Sequence, residues 1–215
     1  MTAELVADLP PPQRLALTYA SARTRNATLG LLALDARMAA ILRARREPIA
    51  AQMRLAWWRD TLTAPAAEWP GGEPVLDLLR AWRDASGLAV LAEGWEALLA
   101  DDLAPAVIVE FVAGRGQAFA CLARELGVFA LDDARAAGEV WALADLAAHI
   151  SDGAEKRTVV EYGLGRLPPP RLSASLRPLA VLAGLGATAL ERGGAPLLDG
   201  PRAMFRALRI GLSGR

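Results

Sequence analysis

Asp145, His149 and Asp152 stand at positions i, i+4 and i+7. On a helix that spacing sets three potential metal ligands along one face. Such a set could hold one divalent ion, and His149 is the chain's only histidine. Three ligands without a second cluster are few for metal chemistry, however. The face also lies opposite the apolar positions Val140, Leu143 and Ile150, where a plain solvated surface belongs. Arg43, Arg45 and Arg46 form a second group. Guanidinium forks match phosphate oxygens, so these side chains could grip an anionic headgroup; arginines closing a helix are also what its dipole favours. A third group is Arg54, Trp57, Trp58 and Arg59. The tryptophans could line an apolar pocket and Arg54 is spaced for a cation–π contact with Trp58, although aromatics at helical spacing usually pack a core.

Helices must position these groups. Apolar residues recur at three- and four-residue intervals and long alternating runs are absent, which predicts an all-α chain. Pro10, Pro11 and Pro12 open a helix near 13–21, with proline tolerated in the first turn. A second helix, about 28–45, strings Leu31, Leu34, Met38, Ile41 and Leu42 along one stripe and ends at Glu47-Pro48, because the residue before proline avoids the α region. A third, about 49–62, carries Met53, Leu55, Trp57 and Trp58 on several faces and is expected to be mostly buried. The stretch 65–74 reads as a loop, followed by helices near 75–85 and 88–99. Asp101 or Asp102 is expected to cap a helix running to Leu126, with Pro105 in its first turn. Gly114 and Gly116 inside it would let another backbone come close. Asp132 and Asp133 are expected to cap a helix reaching about Ile150. The stretch 151–171 reads as a polar segment, and helices near 176–191 and 201–212 follow.

Composition narrows the function classes. At 215 residues with 53% hydrophobic side chains, the chain is long enough for one domain, 1–215, with a sizeable core. Its 24 basic and 24 acidic residues cancel, so no global field draws nucleic acid or an anionic membrane, and no nucleic-acid motif is visible. The first residues, Met1 to Asp8, hold acids and no apolar core, unlike a secretory signal. The longest charge-free run, Pro178 to Leu190, is too short to span a bilayer. A lone cysteine, Cys121, excludes an internal disulfide framework. The cytoplasm is the expected location, with peripheral contact at the inner membrane open through the basic amphipathic end that holds Arg202, Arg206 and Arg209; docking of that end on the bundle is the favoured reading.

Four segments, in order, resemble the squalene/phytoene synthase family. They are Arg25 to Arg37, the Trp58-Arg59 segment, Phe111 to Gly127, and Leu143-Ala144-Asp145-Leu146 with Gly165-Arg166-Leu167-Pro168 downstream. Within the family the chain is most similar to the divergent branch that includes the mitochondrial complex I assembly factor. Glu47-Pro48 and Met53-Arg54-Leu55-Ala56-Trp57-Trp58-Arg59 carry that likeness. The resemblance implies a single helical bundle of the isoprenoid synthase type, shortened at its C-terminus, with the helices near 29–45, 49–62, 105–126 and 133–150 around the centre. It also implies where substrate would be held: near Arg43, Arg54, Trp58, Arg59, Asp145 and His149.

The departures bear on activity. A head-to-head prenyl synthase needs two aspartate clusters on facing helices, because Mg²⁺ ions bridge them to the departing diphosphate. The first cluster falls here on Ala39, Ala40 and Arg43, and the second on Asp145 and His149, with Asp152 a turn further on. No cofactor and no catalytic residue are therefore expected. The expected role is that of a degenerate, non-catalytic relative, acting as a scaffold on a protein partner or binding an apolar isoprenoid. The alternative is a prenyl transferase with a reduced metal site and Mg²⁺.

Overall fold

The computed structural model describes residues 2–44 and 48–214, so Arg45 and Arg46 lie outside the described residues. Among those residues there are eleven α-helices, three short 3-10 turns and no strand. The helices are α1 (Thr2–Asp8), α2 (Pro11–Leu17), α3 (Arg25–Arg43), α4 (Pro48–Thr63), α5 (Pro74–Leu79), α6 (Ala89–Ala97), α7 (Pro105–Glu125), α8 (Leu131–His149), α9 (Gly153–Leu164), α10 (Arg177–Glu191) and α11 (Gly200–Ser213). The all-α expectation from periodicity stands.

One continuous apolar core runs through them, from Leu5 in α1 to Ile210 in α11. At its centre α7 lies between α6 and α8, and α10 packs on the far side of α8. Glycine makes the tight part of this arrangement possible. A Cβ on Gly114 would sit 2.6 Å from the carbonyl oxygen of Val90, on α6, a distance no real side chain tolerates. A Cβ on Gly116 would press on Arg135 and Glu139 of α8 at 3.0 and 2.9 Å, well inside van der Waals contact. The two glycines thus draw α6 and α8 onto either flank of the residue between them, Arg115. The close approach anticipated from these glycines is present on both sides.

Several boundaries differ from the sequence reading. The helix near 75–85 is only α5, Pro74–Leu79. Asp101 and Asp102 do not cap α7: its N-cap is Ala104, in extended conformation, with Pro105 opening the first turn. Asp132 and Asp133 sit within the first turn of α8, behind Ala130, where their charges still favour the positive end of the helix dipole. The segment read as polar, 151–171, contains α9. Asp152 nucleates it by accepting hydrogen bonds from the backbone N–H groups of Ala154 and Glu155, both at 2.9 Å. Those bonds hold the Asp152 carboxyl below the usual carboxylate range.

The expectation of a mostly buried α4 also needs correction. Leu55, Trp58 and Leu62 are buried, but Ile49, Met53 and Trp57 line an outward stripe, with Met53 69% exposed. The helix is apolar on two faces because only one of them meets the bundle. The position near the centre that was expected for α4 belongs instead to α10, buried along most of its length. α7 is the one described helix long and apolar enough to cross a membrane, yet 67% of its apolar window is buried among the other helices.

Candidate functional site

Arg115 is the largest fully buried side chain among the described residues, 1% exposed. Its guanidinium is forked onto Asp35 of α3, with Nε donating to Oδ1 at 2.8 Å and Nη2 to Oδ2 at 2.9 Å. Nη1 donates to Asp145 Oδ2 of α8 at 2.7 Å. One planar cation therefore joins an aspartate on each of two helices through three charge-assisted hydrogen bonds. Burial opposes the charge on Arg115, but Asp35 and then Asp145 outweigh it and raise its pKa above the ordinary arginine value; it stays charged at any relevant pH.

The Asp35 carboxylate is filled from other sides as well. Trp95 Nε1 of α6 donates to Oδ1 and Gln13 Nε2 of α2 to Oδ2, both at 3.0 Å. Because an ionised carboxylate only accepts, the Gln13 amide must present its nitrogen to Asp35. That leaves Gln13 Oε1 buried without a partner. Aromatic rings close the remaining faces of the guanidinium: its carbon lies 4.2 Å from the Trp141 ring centre, 4.8 Å from Trp95 and 5.0 Å from Phe111, all within cation–π range. Five helices converge on this group.

A cavity of about 480 Å³ opens directly over it, within the range of roughly 300–1,000 Å³ usual for small-molecule sites. Trp95, Phe111, Trp141, Leu42, Leu98 and Leu146 supply apolar wall, and Leu197 and Leu198 reach in from the turn before α11. Arg43 and His149 line it together with Asp145 and Ala39. His149 Nδ1 lies 2.7 Å from the backbone oxygen of Asp145, to which it donates, and 3.7 Å from its Oδ1.

Of the residues singled out from sequence, the structure thus brings Arg43, Asp145 and His149 to one cavity. Asp152 is not on the Asp145 face. α8 ends at His149, Ile150 turns extended, and the Asp152 side chain is spent on the first turn of α9. Among the described residues no three histidine, cysteine or acidic side chains converge as a metal group. Arg54 and Trp58 lie elsewhere, in a shallower depression shared with Arg37, Met53, Trp57 and Glu73. There Trp57 and Trp58 meet edge to face at 5.1 Å, and Trp58 is core while Trp57 is half exposed. Arg59 ties α4 to α6 by donating to Glu96 at 2.9 Å, and also pairs with Asp60. Cys121 is buried, as its apolar neighbours suggest.

The small residues of α3 have two uses. Ala36 is buried toward α1, while Ala40 is exposed at the edge of a small depression that both share with Leu5 and Leu9, so the close packing expected at Ala40 is not found. Ala39 instead borders the cavity, and the space it leaves stays open. A metal cluster bridging the two walls would need oxygen ligands from both. The wall opposite Asp145 offers Asp35, Ala39 and Arg43, and both carboxylates, Asp35 and Asp145, are engaged by Arg115. This donor set does not fit such a cluster.

Asp35, Arg115, Trp95 and Gln13 were not picked out from sequence as site residues. Their signal was present in part: Asp35 closes the run Leu29 to Leu34, and Arg115 interrupts an otherwise apolar helix between two glycines. A charge inside an apolar stretch needs a partner, but the partner here is 80 positions away.

Fold and site together define an all-helical bundle with a cation-bridged pair of acids beneath an apolar cavity. No protein-family model, curated protein or solved structure matches the chain.

Proposed function

We propose that the chain is a non-catalytic protein of squalene/phytoene synthase type that holds an apolar, isoprenoid-like molecule in the cavity above Arg115. The observation that carries this reading is the guanidinium bridge. Where the resemblance implies facing acidic helices joined through Mg²⁺, a permanent cation of the chain itself joins Asp35 to Asp145. A fixed guanidinium can balance those charges and organise the helices. It cannot follow a departing diphosphate as a bridging metal does, and with Ala39 and Arg43 on that wall and Asp35 already forked onto Arg115 no free carboxylate there replaces the first acidic cluster. The scaffold reading, in which the centre would be filled, is disfavoured by the size and apolar lining of the cavity. Arg43 and His149 beside that lining suit the polar end of an amphiphile better than a bare hydrocarbon.

The test is solvent extraction and mass spectrometry of the full chain purified from its own host, alongside titration with farnesol and geranylgeraniol. An apolar isoprenoid should be recovered, or a prenol should bind, and the double variant Ala39→Phe, Ala148→Phe, which fills the cavity, should abolish it. The absence of both recovery and prenol binding would overturn the proposal and return the chain to the scaffold reading. Turnover of farnesyl diphosphate with Mg²⁺ would instead establish the alternative, a prenyl transferase with a reduced metal site.

A further inference from the structure

The last helix, α11, has three distinct arcs. Ala203, Ala207 and Ile210 are buried against the bundle, mainly on α10. On the outward side Met204, Leu208, Leu212 and Phe205 form a second apolar arc, with Phe205 72% and Leu212 78% exposed. Between the two, Arg202 and Arg209 stand exposed on one flank, and among the described residues neither has an ion-pair partner. The docking expected from sequence is present, through Ala203, Ala207 and the single large residue Ile210, but it leaves Met204, Phe205, Leu208 and Leu212 facing out. A helix that only docked would place its largest apolar side chains inward, since each contributes roughly 1.5–3 kcal/mol on burial.

From this arrangement we infer that α11 is a surface anchor that seats the protein on an anionic lipid bilayer, its outward arc entering the headgroup–acyl boundary and its arginines meeting the headgroups. Charge complementarity selects this occupant. α11 contains no acidic residue, Asp199 at its start is engaged by Arg192, and Arg177 of α10 reaches its C-terminal end by donating to the Ile210 carbonyl. The chain as a whole has no net charge, so the positive strip is local to this face. Large apolar residues bordered by arginines along one helix are what an interfacial helix requires, and arginines near an anionic leaflet add affinity independently of any partner's shape. This inference does not depend on what the cavity holds.

The experiment is co-sedimentation of the full chain with vesicles of phosphatidylcholine alone and of phosphatidylcholine with phosphatidylglycerol, checked by gel filtration for oligomeric state. The wild type should bind the anionic vesicles. The variant Arg202→Gln, Arg209→Gln should bind them about thirtyfold more weakly, at roughly fivefold per arginine, and Phe205→Ser, Leu212→Ser should bind at least about tenfold more weakly. All four positions are exposed, so unchanged thermal melting should confirm that both variants remain folded. No binding by wild type, equal binding to uncharged vesicles, or unaltered binding by the serine variant would each overturn the inference. So would a wild-type dimer that the serine variant dissociates, which would give this face to a second copy of the chain.

Discussion

The charges at the centre of the bundle and those on α11 obey opposite rules. Arg115 is enclosed by Asp35, Asp145 and three aromatic rings, so every donor direction it uses is already met by the chain. Arg202 and Arg209 point to solvent beside exposed Phe205 and Leu212. A buried ion group fixes geometry because leaving any member unpaired is expensive. An exposed one fixes nothing in the fold and remains free for a surface outside it. The centre is therefore where substitutions should disturb folding, and the periphery is where they should disturb association.

The strongest way to break this contrast is at Arg115. Arg115→Leu would leave Asp35 buried without its counter-charge and is expected to cost about 3–5 kcal/mol of stability in denaturant unfolding, a large share of what a domain usually has. Arg115→Lys should not rescue it, since an ammonium cannot fork onto Asp35 while reaching Asp145. Wild-type stability in Arg115→Leu would mean that the bridge does not organise the centre. Asp35→Asn is expected to cost less, about 1–3 kcal/mol by the same measurement, because Arg115 keeps Asp145 and Trp95 keeps an acceptor.

Smaller effects sharpen the comparison. Asp152→Ala should lower the melting temperature by roughly 2–4 °C through loss of the α9 cap. The Asp152 carboxyl is held below its ordinary range by those cap bonds, so its contribution is complete above the ordinary carboxylate pKa and is lost as pH falls through the lowered value. The gap between wild type and Asp152→Ala should therefore narrow on acidification; a gap that widens would contradict the cap assignment. Arg202→Gln, Arg209→Gln should change unfolding free energy by less than about 0.5 kcal/mol while weakening vesicle binding. Smallest of all, Mg²⁺, Mn²⁺ and Zn²⁺ should leave the melting temperature of wild type and His149→Ala unchanged. A shift of several degrees that vanishes in His149→Ala would reveal an ion held beside Asp145.

Much of the fold could be read from sequence where one helix carries its own signal. The stripe through Leu31, Leu34 and Met38 and the proline start of α7 gave those long helices to within a few residues. α1 and α9 escaped because one is short and the other is polar on most faces; in α9 only the Asp152 cap marked its beginning. The site was legible by half. Asp145, His149 and Arg43 could be found as polar residues on helices that the resemblance placed around a cavity. Asp35 and Arg115 could not be paired, because nothing local links positions 80 apart. Nor could α4 and α10 be ranked by depth, since apolar residues on two faces of α4 do not say which face is covered.

The proposed function turns on the Asp35–Arg115–Asp145 bridge: with a fixed guanidinium between the two aspartates, the cavity would hold an isoprenoid without ionising its diphosphate. Pyrophosphate release from farnesyl or geranylgeranyl diphosphate with Mg²⁺, measured on the purified full chain, tests it most directly. The prediction is no release above a blank without protein. Release accompanied by a squalene- or phytoene-type hydrocarbon, and abolished in Asp145→Ala, would contradict it.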